Sequence, residues 1–144
     1  MLRTDNFNAL TDINTRPRYF SAFLVDSFES FLNLNRTIQR SKFNFRGFFL
    51  FVFINGKISE LKALNEVLWK KKIVNVNALF EDENGVISLS TFLPFGDNGC
   101  HNTEPITWAT FKQGNFSRPF DELFPDKLKT FNRCEVKLVT LLTD

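Results

Sequence analysis

The chain has little with which to do metal or redox chemistry. Among 144 residues there are two cysteines, Cys100 and Cys134, one histidine, His101, and one methionine. A structural zinc site usually takes four Cys or His ligands, so no metal or other cofactor is expected. Six glycines and five prolines fall short of the roughly 12% of average usage, which excludes collagen-like and low-complexity chains. The longest apolar run, FFLFVFI at 48–54, is far below the about 20 residues of a spanning helix, so no membrane span is expected in this chain. The opening Met-Leu-Arg-Thr-Asp-Asn-Phe-Asn lacks the apolar core of a signal peptide. Charge of one sign is also missing: 18 Lys+Arg against 16 Asp+Glu leave +2, too weak a balance to indicate a nucleic-acid partner. There is no G-x-G-x-x-G and no G-x-x-x-x-G-K-S/T, hence no dinucleotide or P-loop reading.

What is present is phenylalanine. Nineteen Phe supply most of the 15% aromatic content, and 43% of residues are apolar, which argues against disorder and for one domain, or one domain plus a fragment of a second. Residues 1–18 hold no period and are expected to be a poorly ordered lead-in. Tyr19 to Val25 reads as a strand buried on both faces. Asp26, three residues before Glu29, reads as a helix N-cap, and Phe28, Phe31, Leu32 and Ile38 share one helix face, with Arg36 and Arg40 near its end. Phe43 to Ile54 is a second strand, with Gly47 marking a bend or a close backbone approach. Asn55-Gly56 is a turn. Ile58, Leu61, Leu64 and Leu68 define a second helix, closed by a solvated Lys70-Lys71-Lys72. Ile73 to Phe80 and Val86 to Phe92 are strands joined by a hairpin at Asp82-Glu83-Asn84-Gly85. The order β-α-β-α-β plus a hairpin partner predicts an α/β fold: a small parallel sheet with right-handed crossovers, flanked by helices, and one antiparallel strand.

From Leu93 the texture changes. Pro94, Gly96, Gly99, Pro105, Gly114, Pro119 and Pro125 crowd one stretch. The expected division is therefore a lead-in at 1–18, an α/β domain at 19–92, an irregular connector at 93–133, and at 134–144 a strand (Val136 to Leu142) that looks like the first of another unit. Cys100 and Cys134 bracket the connector, and a disulfide between them would restrain a long loop with little core of its own. Two sequons, Asn35-Arg36-Thr37 and Asn115-Phe116-Ser117, point toward a secretory setting, with Asn35 and Asn115 as candidate glycan acceptors.

Catalytic constellations are absent. Cys100 and His101 are adjacent, which rarely presents a thiol to an imidazole, and no orienting group is identifiable. Asp121, Glu122 and Asp126 read as solvated loop charges. Arg46-Gly47-Phe48 with Phe53 overlaps an RNA-recognition signature, but Phe49 and Leu50 break it and the element order disagrees. In open α/β sheets, ligands sit outside the carboxyl ends of the strands, which makes Asp26 and Asn55 candidate ligand contacts, with helix cap and tight turn as their plainer roles. A soluble small-ligand-binding α/β module is the alternative to a receptor reading, and no enzyme is expected.

Three segments carry a resemblance. Leu68-Trp69-Lys70 with Ile73-Val74-Asn75-Val76-Asn77-Ala78-Leu79, then Ser90-Thr91-Phe92-Leu93-Pro94-Phe95 ahead of Cys100, and then Leu123-Phe124-Pro125-Asp126-Lys127-Leu128-Lys129 with Cys134-Glu135-Val136-Lys137-Leu138-Val139-Thr140 resemble the divergent insect ionotropic receptors, chemosensory relatives of the ionotropic glutamate receptors. The last segment is similar to the family's junction between the amino-terminal domain and the first ligand-binding strand, with Lys137-Leu138 in place of Arg-Val. The resemblance implies an extracellular, periplasmic-binding-protein-like half domain of a ligand-gated cation channel, with other receptor subunits as partners and a small-molecule ligand in the full-length parent. It also implies that this chain, ending before the pore helices, is a non-catalytic fragment that forms no pore alone. The parent's location is the outer side of the plasma membrane.

Overall fold

The structure, a computed structural model, describes residues 2–3, 18–37, 43–54, 57–97 and 99–135. Its elements are β1 (Leu2–Arg3), β2 (Arg18–Val25), α1 (Phe28–Thr37), β3 (Phe43–Phe53), α2 (Ile58–Lys70), β4 (Val76–Glu81), β5 (Ile87–Thr91), β6 (Ile106–Lys112), β7 (Asn115–Phe116) and a 3-10 turn at Phe120–Glu122. The strands form one sheet in chain order. Pairing is parallel from β1 to β4 and antiparallel from β4 to β7. The expected β-α-β-α-β unit is β2 to β4, and β5 is the hairpin partner. Asp82 closes that hairpin: its Oδ1 accepts from the N–H of Asn84 and of Val86, each at 2.9 Å.

Because β2, β3 and β4 are parallel neighbours in chain order, crossovers of like hand place both helices on one face. The main core shows this. Phe31 and Leu34 of α1 and Leu61, Leu64 and Leu68 of α2 pack with Phe23, Phe49, Phe51, Val76 and Ala78 of the sheet. Phe51 is its centre, stacked on Phe23 with centroids 5.2 Å apart and meeting Phe31 edge-on at 5.3 Å. Such pairs contribute about 0.5–1.5 kcal/mol beyond their area burial.

The strands are not buried on both faces as expected. Burial alternates along β3, and the second face, with Leu50 and Leu79 half-buried, is covered in part by Leu123 and Phe124. Phe124 meets Phe48 at 5.1 Å and Phe20 at 6.0 Å, yet Phe20 stays 53% exposed. A continuous apolar run satisfies a one-sided core equally well, so the run alone does not fix how many faces are covered.

Other expectations are corrected. The N-cap of α1 is Ser27, whose Oγ accepts from the N–H of Ser30 at 3.2 Å. A hydroxyl and a carboxylate cap comparably, so helix onset one residue later decides between them, and Asp26 stands exposed. Within the lead-in, Leu2–Arg3 pairs with β2. The 93–133 stretch holds β6 and β7, which extend the sheet. In the lysine triplet only Lys70 and Lys72 are exposed; Lys71 is half-buried and donates to the Asn35 carbonyl at 2.5 Å. Ile38, Arg40, the Asn55-Gly56 turn and the Val136 to Leu142 strand lie outside the described residues.

Candidate functional site

At the carboxyl end of the parallel strands, the first turn of α2 faces the β4–β5 hairpin across a cleft of about 490 Å³, lined by Lys57, Ile58, Ser59 and residues 81–84. Helix geometry sets one wall, since first-turn N–H groups have no partner inside the helix. The N–H of the N-cap residue Lys57 is taken by the helix's own Glu60, whose Oε2 accepts from it at 3.2 Å. This is half of a capping box; the other half is missing because an ammonium has no lone pair to offer. Ile58, counted by spacing among the core positions, is instead 57% exposed and gives the cleft its apolar surface. The opposite wall is acidic. Asp82 is committed to its turn, whereas Glu81 and Glu83 are exposed. A rim with Lys57 and a helix N-terminus on one side and two exposed carboxylates on the other suits a small polar molecule bearing both signs of charge.

Of the two predicted ligand contacts, Asp26 is exposed and does not line this cleft, and Asn55 lies outside the described residues. The position expected for a ligand is thus cleft-shaped, but its lining comes from α2 and the hairpin.

The opposite end of the sheet is closed by residues 91–97 and 99–134. Cys100 and Cys134 are joined in a disulfide, with Cα atoms 5.6 Å apart. Around it, His101 lies 5.7 Å from Trp69 and 5.8 Å from Phe95, and Phe95 meets Phe131 edge-on at 5.0 Å. The segment reaches α2 through Asn65, whose Nδ2 donates to the Thr103 carbonyl at 3.0 Å, and through the Lys62–Glu104 ion pair. That pair raises the Lys62 ammonium above its ordinary value, by the hydrogen bond to Glu104 first and its charge second.

Sequence reasoning missed Lys127, read only as part of a motif. It is 5% exposed, and its Nζ donates to the carbonyls of Val74 at 2.8 Å and Val76 at 2.9 Å. Burial pushes it down to about 7. Beside it, fully buried Asn77 donates through Nδ2 to the Leu123 carbonyl at 2.8 Å. Together these bonds pin the Leu123–Lys127 segment across β4. The Val/Asn alternation of that strand was the available signal, because an Asn inside a buried strand needs a partner from elsewhere.

The two sequons differ in setting. Asn35 is half-buried on α1, with its Oδ1 shut away from solvent and unpartnered. Asn115 is exposed at the tip of the β6–β7 hairpin.

Among the described residues no group of three His, Cys, Asp or Glu could hold a metal ion, and no helix is long and apolar enough to cross a membrane. The arrangement offers binding surfaces and braces. A comparison with family models decides the class: the model described as "Putative ionotropic receptor, ligand binding domain" matches residues 6–130. The chain belongs to this ionotropic receptor family. No curated protein and no solved structure matches it. The family match spans β2 to β7 and most of the disulfide-tied segment, ending before Cys134, and a family of receptor ligand-binding domains fits the non-enzymatic reading of the residues.

Proposed function

We propose that the chain is an extracellular, non-catalytic lobe of a chemosensory ionotropic receptor, one that binds or assembles and leaves ion conduction to other parts of the receptor. The observation that carries this reading is the family match over residues 6–130. The Cys100–Cys134 disulfide supports the extracellular side, since such bonds persist in oxidising compartments. The absence, among the described residues, of a helix able to span a membrane supports a lobe without a pore of its own. Its partners would be other receptor subunits, and residues 134–144, tied to the lobe at Cys134, would lead into the next lobe. Secreted from insect cells behind a cleavable leader, the chain is expected to fold with Cys100 and Cys134 joined, as read by mass spectrometry without reduction. Folded protein with both thiols free contradicts the extracellular placement.

The ligand reading has its own observation, the two-signed cleft between α2 and the β4–β5 hairpin. Thermal melting in the presence of amino acids, small amines and small carboxylates at millimolar concentration tests it. A ligand occupying the cleft raises the melting temperature by mass action, and Glu83→Gln removes the rise. No shift with any of these compounds excludes a site of that affinity.

A further inference from the structure

We infer that Asn115 is an N-glycosylation site and Asn35 is not, and that the first sugar at Asn115 lies over Phe120. The inference rests on the extracellular reading. Asn115 opens β7 directly after a two-residue turn in which Gln113 and Gly114 both have positive φ, 51° and 86°, the geometry of a tight hairpin tip. Its side chain is exposed, and among the described residues its one bond is a 3.5 Å contact from Nδ2 to the Gln113 carbonyl. The residue after it is Phe116, not proline, and Ser117 completes the acceptor triplet. Asn115 and Phe120 line one hollow of about 510 Å³, and Phe120 is 86% exposed, the most exposed large apolar side chain among the described residues. A solvated phenylalanine beside a glycan acceptor gives the apolar face of a pyranose something to cover.

Asn35 has the opposite surroundings. Its Oδ1 is closed off from solvent, and its carbonyl takes the Lys71 ammonium, so the residue sits in the contact between α1 and the end of α2. A bulky, solvated glycan there would force the two helices apart.

The modification is a transfer without redox change. The Asn115 Nδ2 attacks the anomeric carbon of an oligosaccharide carried on a lipid diphosphate, the carbon–oxygen bond to phosphate breaks, the C–N bond forms, the lipid diphosphate leaves, and the amide gives up one proton to base. The product would also guard the edge of the sheet. Among the described residues β7 pairs with Phe111 and Lys112 alone, while the Thr110 N–H is held by Ser117 Oγ at 3.0 Å. A glycan at the tip obstructs a further strand adding along β6.

The test is the full chain secreted from insect cells, released by peptide N-glycosidase in heavy-oxygen water so that each occupied asparagine becomes labelled aspartate. Label at Asn115 and none at Asn35 is expected, and Asn115→Gln should remove the whole mass increment. In Phe120→Ser, which alters only an exposed side chain, glycan release from native protein should be severalfold faster; an unchanged rate overturns the contact with Phe120. Asn115 bare in protein whose Cys100–Cys134 bond has formed, or label at Asn35 in folded protein, overturns the site assignment alone. Asn115 bare together with free thiols overturns the extracellular reading and the assignment with it.

Discussion

The Lys127 ammonium sits 4.4 Å from the centre of the Phe92 ring. Its three protons therefore have three destinations, the Val74 carbonyl, the Val76 carbonyl and the face of that ring. Among the described residues no carboxylate forms an ion pair with it. Val76 O is shared, since it also accepts from Thr91 Oγ1 at 2.7 Å. Lys127 is thus a cross-brace between the family-like Leu123–Lys129 motif and the start of β4, built from dipoles rather than from an opposite charge.

This brace should give the lobe a distinct pH dependence. In the unfolded chain the Lys127 amine keeps its ordinary 10.5, and in the fold burial lowers it to about 7. Between those values the unfolded chain holds the extra proton, so stability rises as pH climbs through this window. Below pH 7 the cost of burying the charge is present in full; above 10.5 it is gone. A difference of this size corresponds to about 3–5 kcal/mol across the window. Urea unfolding at pH values from about 6 to about 10 should show the rise, and Lys127→Met should flatten it. A wild-type profile as flat as the variant's would contradict the brace.

The strand–helix alternation was legible because Phe and Leu recur at the two periods that elements impose, and β2 to β5 fall close to the apolar runs that predicted them. What escaped was long-range. ITWATFK alternates like any strand, but Pro105 and Gly114 at its ends made β6 read as connector. Lys127 looks like a solvated lysine because its burial is produced by Val74 and Val76, 53 and 51 positions away, and by the Phe92 ring, separations that local patterning never spans. Topology alone points to the carboxyl end of the strands, the end where the α2–hairpin cleft lies, while the lining depends on how far the hairpin leans toward α2, which no local pattern encodes.

Gly47 offers a test of close strand approach. A Cβ there would run into the Tyr19 carbonyl oxygen and lie 2.9 Å from that of Asn44. Both are backbone atoms, so no side chain can yield. The register between β2 and β3 shifts at this point, between Arg18 and Phe20. Gly47→Ala should therefore part the two strands and cost about 1–3 kcal/mol, read as a lowered urea midpoint. Gly114→Ala is the contrast: a Cβ there meets nothing within 4 Å, and only the positive φ of 86° opposes it. Gly47 has no such φ, so a loss there within about 0.5 kcal/mol, the range of ordinary surface substitutions, would show that the Tyr19 contact is relieved without parting the strands.

The start of α1 separates two adjacent residues that look equivalent as caps. Ser27 Oγ accepts from the Ser30 N–H, whereas Asp26 is exposed and outside the helix. Ser27→Ala should cost about 1 kcal/mol, the usual loss for a capping hydroxyl, and Asp26→Ala should stay within about 0.5 kcal/mol, the range of ordinary surface substitutions. Thermal unfolding of the two variants distinguishes them. A larger loss at Asp26 would return the cap to the position that spacing from Glu29 suggested.

The disulfide closes a loop of 34 residues that contributes its own strands to the sheet. The bond restrains the unfolded chain most where the loop is long, and for this length the chain-entropy account gives about 3–4 kcal/mol. The folded loop is also held by Lys127, by Asn65 and by the Trp69–Phe95–Phe131 ring contacts. Those contacts do not depend on the sulfurs, so Cys100→Ser with Cys134→Ser should leave the native sheet intact while lowering the urea midpoint. Retained near-ultraviolet circular dichroism from Trp69 with reduced stability is the expected pair of results. Loss of both together would mean that the rings are ordered by the bond rather than alongside it, and the disulfide would then be a condition of the fold and not a restraint added to it.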